Sequence, residues 1–325
     1  MSPRLLQTTF PGYTLIEVLL STTLGVGLIL LLANATISTA EHNKRLTDEL
    51  DRSARARLVL DLLANDLQSI IQRRDANIWF AVDVLSDTKN TSHWQSAAGQ
   101  KPATNSLALH PGFDAASGMI NPEDYRFGMA GIWLRLITTA EDRSIFSNGK
   151  TVPGDVNAVA YQLIRRPLPS LPSISDGSNA GYQMHRSVVR ADATFDEGYA
   201  IDAYQGASDL GKPGEIKSPR LDSVVCNQVI DFGIIIYQIN ENGDLVQGFP
   251  ERDSSLPPLA NPLQYRAPRD GMPARLEALV RIVSIHGAQQ LQQQEQSPFS
   301  ADEWWKLVRK ESRVYSRTLT LPQAL

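Results

Sequence analysis

Five histidines and one cysteine are the side chains best suited to metal or nucleophilic chemistry, and their spacing suits neither. His42, His93, His110, His185 and His286 are scattered, and none has a second histidine or cysteine at a metal-ligand interval. No Gly-x-Ser-x-Gly elbow occurs. Gly206-Ala207-Ser208-Asp209-Leu210-Gly211-Lys212-Pro213 approaches a phosphate-binding loop but puts Pro213 where a Mg²⁺-binding hydroxyl belongs, so it reads as a loop. Asn240-Glu241-Asn242-Gly243-Asp244 lacks the distal glutamate of a calcium loop and reads as a hairpin turn. Cys226 lies in the strand-like run Val224–Ile230 and reads as a buried thiol. Being alone, it excludes an internal disulfide. These residues indicate no catalytic group, no metal and no cofactor, so the chain is not expected to be an enzyme. One ionisable residue stands in an unusual setting. Glu17 lies near the start of the only long apolar run.

That run organises the chain. Tyr13 to Ala35 is 23 residues, about 34 Å as a helix, enough for a hydrocarbon core of about 30 Å. A secretory signal is one reading, with Arg4 as its basic start and Asn34–Ala40 as a mimic of the cleavage region. A plain membrane anchor is another, but it gives no reason for an acid at position 17. Gly12-Tyr13-Thr14-Leu15-Ile16-Glu17-Val18-Leu19 accounts for both the glycine and the acid. It closely resembles the class III signal of type IV prepilins, with tyrosine where that family usually has phenylalanine.

The resemblance implies a set of roles. A membrane peptidase would cut after Gly12 on the cytoplasmic side. Tyr13 would become the new, N-methylated terminus. Glu17 would pair with the terminal amine of a neighbouring subunit; the alternative is a protonated Glu17 resting near the headgroups. Ser21, Thr22 and Thr23 are read as bonding back to their own helix or facing other helices. Arg4 on one side and Lys44 and Arg45 on the other leave the charge rule for orientation equivocal, so a cytoplasmic N-terminus rests on the resemblance alone.

The polypeptide is 42% hydrophobic and 20% charged, with a formal net charge of −4. This is globular composition, and it argues against a broad nucleic-acid-binding surface. Beyond the apolar run, Leu46, Leu50, Ala54, Leu58, Leu62, Leu63, Leu67, Ile70 and Ile71 recur at spacings of three and four, the mark of an amphipathic helix. Arg52, Arg55, Asp61, Asp66, Arg73 and Arg74 fall mostly off that stripe. The simplest expectation is one helix from Tyr13 to about Gln72, roughly 90 Å long, with two helices hinged near Asn34–Thr39 as the alternative.

Strands are expected over Ile78–Leu85, Ser106–His110, Gly131–Thr138, Asn157–Arg165, His185–Arg190, Val224–Asn240, Ala274–His286 and Arg313–Leu321. Asp87 to Ser106, residues 191–222, residues 250–273 and Gln289–Gln296 read as loop. Ser300-Ala301-Asp302-Glu303 has the capping-box form and starts a short helix to Lys310. Trp304 and Trp305 are expected to pack it, with a contact surface as their other use.

The expected fold class is α+β: a pilin-like long N-terminal helix on an antiparallel β-sheet head with long loops. The expected organisation is a cleaved leader over 1–12, a transmembrane and assembly helix over 13–40, an amphipathic continuation over 41–74 and a head over 75–325. The head's order is similar to the larger minor pilins, PilW-like proteins and the J-type minor pseudopilin of type II secretion. The resemblance therefore implies a structural subunit of a type IV pilus or pseudopilus. Its partners would be a prepilin peptidase, other pilins or pseudopilins and inner-membrane lipid, with the head outside the cytoplasm. The alternative is a membrane-anchored binding module with no fibre role.

Overall fold

The structure, a computed structural model, describes residues 14–72, 77–84, 132–139, 156–167, 180–198, 200–204, 209–217, 219–249, 264–294 and 301–322. The expectations for the leader, Gly12, Tyr13, the 87–106 loop, the Ser106–His110 strand, His93, His110 and Gly206–Ser208 lie outside these residues. The chain divides into two compact units, Met1–Leu50 and Asp51–Leu325. One helix, α1 (Leu15–Gln68), supplies residues to both.

In the first unit α1 runs unbroken through Asn34–Thr39, so the expected alternative of a hinge there is not seen. Thr36 and Thr39 donate to Leu32 O and Ala35 O, each at 2.8 Å, which returns their hydroxyls to the helix. In the second unit the helix buries Ala56, Val59, Leu60, Leu63, Ala64 and Leu67. This corrects the expected stripe. The row through Ala54, Leu58 and Leu62 is two positions out of step with the buried row Ala56, Leu60 and Ala64, about 200° around a helix of 3.6 residues per turn, so it faces away from the core. Leu58 is accordingly 54% exposed. The helix also ends earlier than expected. Ile71 N donates to Ile137 O and Thr139 N to Ser69 O, so the chain leaves the helix by joining a strand.

Among the described residues ten strands form two wholly antiparallel sheets. The first has β1 (Phe80–Val84), β2 (Ile132–Thr138), β3 (Asn157–Pro167), β4 (Ala180–Val189), β5 (Val224–Asn227) and β8 (Gln264–Ala267), in the order β5-β4-β3-β2-β1-β8. The second has β6 (Val229–Ile239), β7 (Leu245–Phe249), β9 (Pro273–Val283) and β10 (Ser312–Thr320), in the order β10-β9-β6-β7. An α+β architecture with antiparallel sheets is thus observed. One apolar core joins α1 residues 56–67 to side chains of both sheets, among them Phe80, Leu134, Phe232, Ile234, Leu276 and Val280.

Local expectations change at several places. Within 250–273, expected as loop, Gln264–Ala267 is β8, because it pairs with β1 at the edge of the first sheet and buries Tyr265 and Ala267. Val224–Asn240 is two strands, split at Gln228, whose φ of 65° breaks the extended chain between the sheets. Among the described residues from 191 to 223, α2 (Ala191–Glu197) and three short 3₁₀ turns form and bury Ala191, Ala193 and Ile216. The glutamine-rich patch is helical over residues 289–294. Strand β9 stops at Val283, and α3 (Ile285–Gln294) begins where the Ser284 hydroxyl accepts from Gly287 N at 2.9 Å. The helix expected from Asp302 to Lys310 is α4 (Ala301–Glu311), and Trp304 and Trp305 are buried in a second apolar cluster with Tyr182, Leu291 and Val308.

Candidate functional site

The candidate site is the start of α1. Thr14 precedes the first helical residue, and its backbone N–H donates to Glu17 Oε2 at 3.0 Å. Its hydroxyl donates to the same oxygen at 3.1 Å, and Glu17 N donates back to Thr14 Oγ1 at 3.3 Å. This reciprocal pattern is a capping box. It satisfies backbone donors that the first turn of a helix leaves open, and these are costly to leave open in lipid. Glu17 is thereby fixed at the N-terminal end of the helix dipole, where a negative charge is favoured.

The residues that follow leave an apolar surface without a protein cover. Leu15, Ile16, Leu24, Leu28, Ile29 and Leu31 are each more than 60% exposed. Among the described residues this is one helix long and apolar enough to cross a membrane, with a mean hydropathy of 2.3 over its best window and none of that window buried. Its hydroxyls are internalised. Ser21 donates to Glu17 O at 2.7 Å, Thr22 to Leu19 O at 2.9 Å, and Thr23 to Leu19 O and Leu20 O at 3.0 and 2.9 Å. Of the two uses expected for these three residues, the structure has the back-bonded one. Gly25 and Gly27 have open space around them, so nothing among the described residues demands a glycine there.

The second unit holds α1 by polar contacts that the sequence did not single out. Asp66 is fully buried and accepts from Arg186 Nε and NH2 at 2.8 and 2.9 Å. The Tyr161 hydroxyl donates to the same carboxylate. Burial, reinforced by the Asp66 charge, pushes the Tyr161 phenol well above its ordinary range, so it stays a proton donor. Tyr161 on β3 and Arg186 on β4 are direct cross-strand partners. They grip the helix from one face of the sheet. Arg52 donates to Glu311 O at 3.3 Å, and Arg317 pairs with Asp61.

On the other face of the same sheet, two acids and two arginines form a closed set. Arg266 NH2 lies 2.8 and 2.9 Å from the Asp83 oxygens, and Arg135 NH1 lies 2.8 Å from Asp202. Arg135 also pairs with Asp83, and Arg266 with Asp202. The register explains the meeting, since Arg135 and Arg266 both flank Ala81, two residues from Asp83. Burial pulls the Arg135 guanidinium below its ordinary value, against the opposing pull of Asp83 and Asp202. The set is neutral in sum and every charge has a partner, which is the condition for keeping such charges in a fold.

The remaining candidates take structural places. Cys226 is buried, and burial pushes its thiol up to about 11. Asn240 Oδ1 accepts from Asn242 N and Asp244 N at 3.0 and 2.8 Å, and Gly243 has φ 84°, so Asn240–Asp244 is the β6–β7 turn. In the phosphate-loop-like segment Pro213 opens a 3₁₀ turn, Pro213–Ile216. His185 is buried with Nδ1 3.2 Å from Ser223 Oγ, while His286 is exposed and contacts Gln290. Among the described residues no three histidine, cysteine or acidic side chains meet in a group that could hold a metal. No protein-family model, no curated protein and no solved structure matches this chain.

Proposed function

We propose that the chain is a structural subunit of a type IV pilus or type II secretion pseudopilus, a minor pilin or pseudopilin. In this reading the leader is cut after Gly12 by a prepilin peptidase. Tyr13 becomes the methylated terminus, and α1 anchors the protein in the inner membrane before packing among like helices. The head lies outside the cytoplasm. The observation that carries the reading is the uncovered apolar half of α1, preceded by Gly12-Tyr13-Thr14-Leu15-Ile16-Glu17. An apolar surface of this length needs lipid or other apolar helices around it.

The capping box refines the role of Glu17. In the single chain its carboxylate serves Thr14. A neighbour's terminal amine would approach the same oxygens, and a carboxylate has about four lone-pair sites. The cap and the intersubunit pair are therefore compatible.

Co-expression with a prepilin peptidase tests the reading. The product is expected to lose the mass of residues 1–12, and Gly12→Ala to abolish the loss. An unchanged mass beside an active peptidase defeats the proposal. Glu17→Ala is expected to leave the head folded and reduce recovery in fibres.

A further inference from the structure

At the C-terminal end of α4, an open groove of about 590 Å³ is lined by Lys306, Arg309, Lys310 and Arg313. The first three lie on α4 and the fourth at the start of β10. Helix α4 is seated by its other face, where Trp304, Trp305 and Val308 are buried and Arg281 stacks on the Trp305 ring at 4.9 Å. Its cationic side is thereby held in one orientation. Lys306, Arg309, Lys310 and Arg313 are all exposed. Glu311 lies beside them but is 17% exposed, accepts from Ser284 Oγ at 3.2 Å, and meets Lys310 at 3.5 Å.

Cations in a last helical turn favour the helix dipole, which gives Arg309 and Lys310 a purely local reason to be there. It gives none for Lys306, a turn earlier, or for Arg313, which is outside the helix. Four cations converging on one concavity, in a chain of net charge −4, set up a local potential opposite in sign to the whole.

We propose that this groove docks an acidic segment of a protein partner. Its walls suit an extended chain bearing several carboxylates, with arginines able to take them bidentately. A concave site fits a chain entering it better than the plane of a bilayer, so a lipid surface is the alternative to be tested. The proposal stands apart from the fibre reading, since it rests on α4 and β10 alone.

The test uses the full-length chain in neutral detergent and a fluorescent octaglutamate peptide, followed by anisotropy at about 150 mM salt, where long-range attraction is screened beyond about 8 Å. Lys306→Gln/Lys310→Gln/Arg313→Gln is expected to weaken binding by about tenfold or more, as loss of complementary charge should. Arg57→Gln/Lys212→Gln/Lys217→Gln makes the same change in net charge at exposed sites elsewhere and is expected to leave binding within about twofold. If the first triple variant fails to fold, Lys306→Gln/Lys310→Gln on the solvent side of α4 takes its place. Equal losses in both sets, or no preference over a neutral octapeptide, overturn the groove as a site. Displacement of the peptide by monomeric short-chain phosphatidylglycerol, with no displacement by the neutral phosphatidylcholine analogue, overturns the protein partner in favour of lipid.

Discussion

Replacing Asp66 with alanine should be among the most damaging single changes in the head. The substitution leaves the Arg186 guanidinium, 12% exposed, facing a space from which its two hydrogen bonds and its counter-charge have gone. Breaking a buried pair from one side costs about 3–5 kcal/mol. The Tyr161 hydroxyl loses its acceptor at the same time. With a urea slope near 3 kcal/mol/M, the unfolding midpoint should fall by about 1–1.7 M. The assay is urea unfolding of the full-length chain in detergent, read by tryptophan fluorescence, since Trp79 and Trp304 are fully buried. Asp66→Leu/Arg186→Met removes both charges and should recover most of the loss, because an apolar replacement of a buried pair is often neutral or better. A loss below about 1 kcal/mol for Asp66→Ala, or a double variant as unstable as the sum of the two single changes, would refute the idea that this pair clamps the helix to the sheet.

Other outcomes follow from the same structure. Leu63→Ala should cost about 2–5 kcal/mol as a cavity in the core, while Leu58→Ala should stay within about 0.5 kcal/mol; equal effects would undo the assignment of the buried helix face. Cys226 should resist a thiol reagent in the folded chain at pH 8 and react on unfolding. Its folded pKa lies above its ordinary value, so the stabilisation is complete below about pH 9 and is lost as pH rises toward 11. Alkaline unfolding of Cys226→Ser should lack that component. Gly243→Ala places a side chain at φ 84° and should cost about 1–2 kcal/mol, read as a lower urea midpoint with β6–β7 the first region to exchange amide protons.

The apolar run and the Asn242–Gly243 turn act through neighbours in sequence. Helix length and a tight turn are local quantities, so these features were readable before any fold was known, whereas the Thr14–Glu17 cap emerged with the structure. Alternation along β9 and β10 was readable for the same reason, because each strand buries one face more than the other. What depended on partners far along the chain was not. Asp66 looks like a surface acid until β3 and β4 bring Tyr161 and Arg186 beneath it. Asp83, Arg135, Asp202 and Arg266 become a neutral set only when β1 registers against β2 and β8 and the Ile201–Ala203 turn brings Asp202 to them. The end of α1 carries no glycine or proline signal, since a strand rather than a cap stops it. The handover of the chain from the first sheet to the second, between β5 and β6, turns on Gln228, whose left-handed backbone no local pattern demands. Local free energies of about 1 kcal/mol set the elements; the larger energies of buried charge and shared core decide how they meet, and those exist only once distant segments have come together.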